Sequence, residues 1–251
     1  MDLKSDLDIT HIRGLDQIHL LADGHLSLGA AVRHSALCEA AGTPVPAVLA
    51  AAARLVGSAA VRSLGTSVGS IAFADPAAEI PAVLLLLGGR VHLVSPRGYR
   101  SLAARRYLEA APADRRAPDE LITRVDFRLP PDHAGTAVTE VSPRHGDRAL
   151  AGTAAFVQIS ADGTLAQVRL CLWGTTPVPR LADLTGPLRG RSPRKADWAE
   201  ALAPVLATLD PPAMPHAGAD YLRHLAKVTA RRALATAARR AGPARIGGGT
   251  G

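Results

Sequence analysis

The chain has 251 residues, 47% of them hydrophobic and only 3% aromatic, which supports a sizeable core of Ala, Val and Leu and excludes global disorder. Its formal charge is +7, yet the cations run from Lys4 to Arg245 with acidic residues interleaved, so the clustered stripe that tracks a nucleic-acid backbone is not expected. The scarcity of aromatic side chains also argues against a platform for stacking bases.

The opening "MDLKSDLDITHIRGLDQ" is charged and polar where an export signal has an apolar centre. Three short extended segments follow from it, "DITHI", "QIHLL" and "HLSLGAAV", separated by the turn signals "RGLD" and "ADG". "HSALCEAAG" then reads as a short helix with Ser35 as its N-cap and Gly42 as its stop. From Pro46, the residues Val48, Leu49, Ala52, Leu55, Val56 and Ala59 recur at three- and four-residue steps, predicting one helix that ends near Arg62.

"GTSVGSIAFADPAAE", Gly65 to Glu79, follows as a loop rich in glycines, hydroxyls and carboxylates. Such a loop can bring backbone close to a phosphate and donate hydroxyl hydrogen bonds to it. The same residues also build ordinary turns. "IPAVLLLLGG" resumes a helix from about Pro76, and its apolar run, Ile80 to Leu87, falls far short of the ~20 residues of a membrane helix. A cytoplasmic protein without a transmembrane segment is expected. "RVHLVSP" predicts a strand, "YRSLAARRYLEA" a helix or helical turn, and "DELITRVDFRLPP" a strand running into Pro130 and Pro131.

Beyond Asp132 a second domain is expected. "GTAAFVQIS" and "LAQVRLCLWG" flank the turn "ADG" as an antiparallel hairpin. Two helices follow, "DWAEALAPVLATL" and "DYLRHLAKVTARRALATAARRAG", the second with Tyr221, Leu222, Leu225, Val228 and Leu234 on its apolar face, and "ARIGGGTG" is left as a tail. Cys38 and Cys171 lie far apart, and no Cys/His cluster or HExxH is present, so neither a zinc site nor a ligand set for an iron–sulfur cluster is expected in this chain.

"VRSLGTSVGSIAFADPAAEIPAVLLLL", Val61 to Leu87, resembles the stretch QVRNRGTIGGNLAHADPAADLPAALLAL of the FAD-binding medium subunits of molybdenum hydroxylases, the carbon monoxide dehydrogenase and xanthine dehydrogenase flavin-domain family. "SPRHGDRALAG", "LAQVRLCLWGTTPVPRLADL" and "HAGADYLRHLAKVTARRAL" are similar to the second domain of the same family. The resemblance implies an α+β fold in which residues 1–132 form the second lobe of a PCMH-type FAD-binding domain. Residues 133–241 would form a domain like the C-terminal domain of CO dehydrogenase flavoproteins, and 242–251 a flexible tail.

The function implied is electron transfer by an oxidoreductase subunit: FAD in this chain, and molybdopterin and iron–sulfur clusters in a large and a small partner subunit of a hetero-oligomer. An alternative is a degenerate subunit that holds such a complex together without flavin. By resemblance, Gly65, Thr66, Ser67, Gly69 and Ser70 form the loop at the FAD pyrophosphate, and Asp75 and Glu79 fall on two acidic positions that can accept ribose hydroxyls. Asp75 can equally cap the next helix, and Glu79 can serve as a first-turn dipole partner.

Val68 stands where the family has glycine, and a β-branched residue there is expected to keep a phosphate at a distance, so Val68→Gly is expected to tighten FAD binding. Phe73 replaces the usual polar residue before "ADP". The family's first subdomain, with its AGGxS-type loop, belongs ahead of "DLDITHI", where this sequence starts, so half of the phosphate cradle is expected to be missing and FAD binding to be weak or lost.

Overall fold

The computed structural model describes residues 8–39, 44–212, 214 and 216–242. Two antiparallel sheets frame it. The first contains β1 (Ile18–Leu20) and β2 (His25–Gly29), followed by α1 (His34–Cys38), α2 (Ala47–Leu55), α3 (Ala59–Leu64), α4 (Ser67–Phe73) and α5 (Glu79–Leu87). The chain then returns to the sheet with β3 (Arg90–Ser95) and β4 (Gly98–Ala103), passes through the short helices α6 (Ala104–Glu109) and α7 (Pro112–Arg115), and completes it with β5 (Leu121–Arg128). The spatial order is β1-β2-β5-β3-β4.

The second sheet is a meander of β6 (Ala134–Val141), β7 (Ala151–Ile159), β8 (Leu165–Trp173) and β9 (Arg180–Asp183), followed by α8 (Thr185–Leu188), α9 (Trp198–Ala207) and α10 (Ala219–Arg240). Side chains alternate across its strands. Ala155, Val157, Val168, Leu170 and Leu172 face α10 and its neighbours. Ala154, Phe156, Cys171 and Trp173 join the core of the first sheet and its helices.

Between the sheets lies α5, whose nine residues are all buried. That explains its uninterrupted apolar sequence, since a helix surrounded on every side has no polar stripe. Pro81 is tolerated because it falls in the first turn, where backbone N–H groups lack intrahelical partners anyway.

Several expected elements differ. "DITHI" forms turns rather than a strand. α1 starts at His34 with Arg33 as N-cap, so Ser35 lies inside the first turn, and Gly42 falls outside the described residues. The single helix from Pro46 breaks at Gly57, whose φ of +48° is left-handed, and Ser58 then caps α3 by accepting from the Val61 N–H. The helix expected from Pro76 begins at Glu79. "YRSLAARRYLEA" divides into β4 and α6.

The expected β7–β8 hairpin, α9 and α10 are present. On α10, Leu222, Leu225 and Leu234 are buried, whereas Tyr221 points to solvent and small residues such as Ala226, Ala230 and Ala233 fill the contact instead. No described helix is long and apolar enough to cross a membrane. Of the expected tail, only Gly242 is among the described residues.

Candidate functional site

The Gly65–Glu79 stretch is a helix and a turn more than a loop. Thr66 forms a bridge with Arg33 and caps α4, its hydroxyl accepting from the Gly69 N–H at 3.0 Å. The Ser67 amide donates to the Val32 carbonyl and the Ser70 amide to the Thr66 carbonyl. Three amides that resemblance assigned to a pyrophosphate are thus spent on the fold. The helix ends at Ala74, which holds the left-handed conformation at φ 52°, alone among the described non-glycine residues.

Val68 lies in α4 and is buried against Ile71 and the core, so it takes no positive φ. Phe73, in contrast, projects into solvent at 79% exposure.

The serine hydroxyls of α4 converge on a residue the sequence reading missed. His34 is buried, with Ser67 Oγ 3.2 Å from Nδ1 and Ser70 Oγ 3.1 Å from Nε2. Burial, with the Arg62 charge adding to it, lowers its pKa to about 4, so the ring is neutral at pH 7, one nitrogen donating and the other accepting. A Cβ on Gly65 would sit tightly here, 3.2 Å from His34 Cδ2 and 3.1 Å from the Val61 carbonyl oxygen. No spacing signal pointed to His34, because its partners lie more than thirty residues away.

Asp75 and Glu79 both turn toward the second sheet. Asp75 accepts from the Ala77 N–H at 2.8 Å and from Arg148 Nη2 at 2.7 Å and Nε at 3.2 Å. Burial pushes its pKa up, but the Arg148 and Ala77 hydrogen bonds outweigh this and hold the carboxyl below its ordinary range. Glu79, 7% exposed, meets the carboxyl of Glu140 on β6, whose Oε2 accepts from the Trp173 indole N–H at 3.2 Å. Burial raises both carboxyls, Glu79 to about 6 and Glu140 to about 8, and the neighbouring Glu79 charge raises Glu140 further. Two buried carboxyls facing each other favour retention of a proton, because both cannot ionise cheaply at close range. Next to it, the Gly174 N–H donates to the Pro76 carbonyl, so the 75–79 turn is fastened to the second sheet at three points.

What stays open is the outer edge of α4. A cavity of about 200 Å³ is lined there by Thr10, Thr66, Val68, Gly69, Ala72 and Arg116. Arg116 is exposed and uses one Nη1 hydrogen bond, 2.6 Å, on the Glu120 carbonyl. The Thr66 hydroxyl accepts from Gly69 and keeps its own proton to donate. Of the seven resemblance-derived residues, only Thr66 and Gly69 line this cavity. A hydroxyl donor and a guanidinium suit a phosphate group.

Comparison with known proteins settles the family. Residues 2–130 match the model of the FAD binding domain in molybdopterin dehydrogenase. The chain belongs to this family. Residues 136–237 match the CO dehydrogenase flavoprotein C-terminal domain, which accounts for the second sheet and α10.

The chain is 32% identical over 240 residues to the 6-hydroxypseudooxynicotine dehydrogenase complex subunit alpha of Paenarthrobacter nicotinovorans, covering 94% of this chain and 80% of that one. It is 31% identical to the nicotine 6-hydroxylase medium subunit of the same organism, over 93% of this chain and 82% of the relative. Among solved structures, a carbon monoxide dehydrogenase from Hydrogenophaga pseudoflava superposes with a TM-score of 0.84 at 25% identity, covering 91% of this chain and 79% of that chain. This family member is therefore an oxidoreductase subunit of the FAD-binding type, with the α+β fold that the sequence led us to expect.

Proposed function

We propose that this chain binds FAD with a phosphate group at the edge formed by Thr66, Gly69 and Arg116, and that it passes electrons from iron–sulfur clusters in a small partner subunit to an external acceptor. In this reading a large subunit carries molybdopterin, the assembly is a hetero-oligomer, and it works in the cytoplasm. The observation that carries the reading is the open cavity beside Thr66, with a cation at its rim, in a domain whose family binds FAD. The names of the relatives, a complex subunit and a medium subunit, support the heteromeric assembly.

Bound FAD supplies a centre that can accept and release electrons singly or in pairs. The chain's own residues bind and orient it. The Thr66 hydroxyl donates to a phosphate oxygen while its oxygen keeps α4 capped. Arg116 provides charge-assisted donors beyond the one committed to Glu120. Val68 and Ala72 form the apolar wall behind them.

Ser67 and Ser70 act one step removed in this reading, by fixing α4 through His34. Asp75 and Glu79 fix the turn that follows. We place the boundary between the domains at 132/133, a reading supported by the gap between β5, which ends at Arg128, and β6, which begins at Ala134. The alternative of a flavin-free subunit drew on Val68 and Phe73 as departures from the family pattern, and the burial of Val68 in α4 weakens the first of these.

The test is a visible spectrum after incubation with FAD and desalting, taken on the chain co-expressed with its neighbouring subunits. A retained flavin band is expected. A colourless protein that still assembles would overturn FAD binding and leave the flavin-free reading.

A further inference from the structure

A second cavity, of about 320 Å³, opens where the two sheets meet, and its lining includes Asp23, Arg128, Phe156, Gln158, Gln167 and Arg169. It is remote in sequence from α4 and shares no lining residue with the cavity at Thr66. Its character comes from Arg169 on β8. The guanidinium carbon lies 4.7 Å from the centroid of the Phe156 ring, directly across the strand pair, so the ring holds the planar group flat. Arg169 is partly buried, its Nε is enclosed without a hydrogen-bond partner, and no salt bridge reaches it among the described residues. Burial opposes its charge and lowers its pKa; Asp183, its register partner on β9, acts against that, while the charge of Arg128 adds to it. A guanidinium drawn from water whose Nε meets no acceptor is costly.

Chemistry and size narrow the ligand. A flat, pre-oriented guanidinium with a second one, Arg128, at the same cavity matches a planar oxyanion held by paired N–H donors. Asp23 at the wall and Asp183 beside Arg169 leave too little positive charge to favour a dianion. At about 30 Å³ per water the space holds roughly ten waters, more than an inorganic oxyanion fills, and Phe156 contributes an apolar wall. Gln167, which pairs with Gln158 across the strands, adds an amide that can meet a second oxygen. Gln158 is already held by His133 at 2.8 Å.

We propose that this inter-sheet cavity binds a small organic monocarboxylate through Arg169 and Arg128, at a site separate from the flavin edge.

Calorimetric titration of the purified subunit complex with benzoate, benzamide and inorganic phosphate tests this. Benzoate is expected to saturate one site, with benzamide, its neutral counterpart, weaker by about tenfold or more because the charge-assisted pair is lost. Arg169→Gln should weaken benzoate by at least about tenfold and Arg128→Gln, at an exposed position, by several-fold. Retained flavin should be unchanged in both variants. Benzamide binding as tightly as benzoate, phosphate binding in preference to it, absence of saturation, or an unchanged benzoate affinity in both variants would each overturn the proposal.

Discussion

Two neighbouring segments of the chain look alike in sequence and do opposite work. Thr66–Phe73 turns its hydroxyls inward on His34 and its own helix, which leaves its outer edge bare beside Arg116. Asp75–Glu79 turns its carboxylates outward across the domain boundary, onto Arg148 and Glu140. The difference teaches that a run of ligand-type residues does not identify which of them meet a ligand. Polar groups close to a domain boundary find protein partners first, because a buried polar group left without one costs free energy.

Substitutions can break this contrast, and the largest loss of stability is expected inside the first segment. Val68→Gly removes a buried side chain from a helix, so stability should fall by about 3 kcal/mol, from cavity formation and lost helix propensity together. Urea unfolding reads this. A stable variant that binds FAD more tightly would restore the phosphate-blocking role that the sequence suggested for Val68.

In the second segment the Glu79–Glu140 pair is the main contributor. Both carboxyls have folded pKa values above their unfolded ones, so the folded state binds more protons than the unfolded chain. The stability this proton uptake provides is complete below about pH 4.5, the ordinary carboxylate value. It should be lost progressively as pH rises through about 6 and on to about 8. Glu140→Gln keeps a hydrogen-bonding group without the charge. It should flatten that decline and add up to about 4 kcal/mol at pH 8, since the rise from 4.5 to about 8 spans more than three pKa units at about 1.4 kcal/mol each. Thermal unfolding across pH 5 to pH 8.5 at constant ionic strength gives the comparison. An unchanged pH slope would mean that the pair is not protonated in the folded protein.

Smaller effects sharpen the boundary between the segments. Arg148→Ala should cost about 0.5–1 kcal/mol, because the arginine is largely solvent-exposed and the pair is screened. That loss should shrink with added salt, which equilibrium unfolding at two ionic strengths would show. Ala74→Gly, at the left-handed residue joining the segments, should raise stability by about 0.5–1 kcal/mol through relief of backbone strain. Destabilisation there would mean that the Ala74 methyl matters more to packing than to strain.

Much of the framework was legible in the sequence. α10 showed its apolar spacing, the β7–β8 hairpin its alternation around "ADG", and α5 its unbroken apolar run. The family followed from the match over Val61 to Leu87, and the C-terminal segments resembled the second domain. α4 was not legible, because glycine and β-branched residues are poor helix formers and only tertiary burial of Val68 and Ile71 stabilises a helix there. β6 was missed because "AGTAVTEV" is made of small residues whose alternation gains meaning only when β7 lies beside it. The partners of Ser67, Asp75 and Glu79 were invisible for a simpler reason. Each lies some 33 to 73 residues away in the chain, and local pattern carries no such information.

The central claim is that FAD meets the bare edge of α4 and not the carboxylates of the following turn. The most direct test compares FAD dissociation constants for the wild type, Arg116→Gln and Glu140→Gln by flavin fluorescence on the assembled complex. Losing a charge-assisted phosphate contact at Arg116 should weaken binding by about tenfold, while Glu140→Gln should leave the affinity unchanged. An undiminished affinity in Arg116→Gln together with a loss in Glu140→Gln would contradict the account and return the cofactor contact to the Asp75–Glu79 turn.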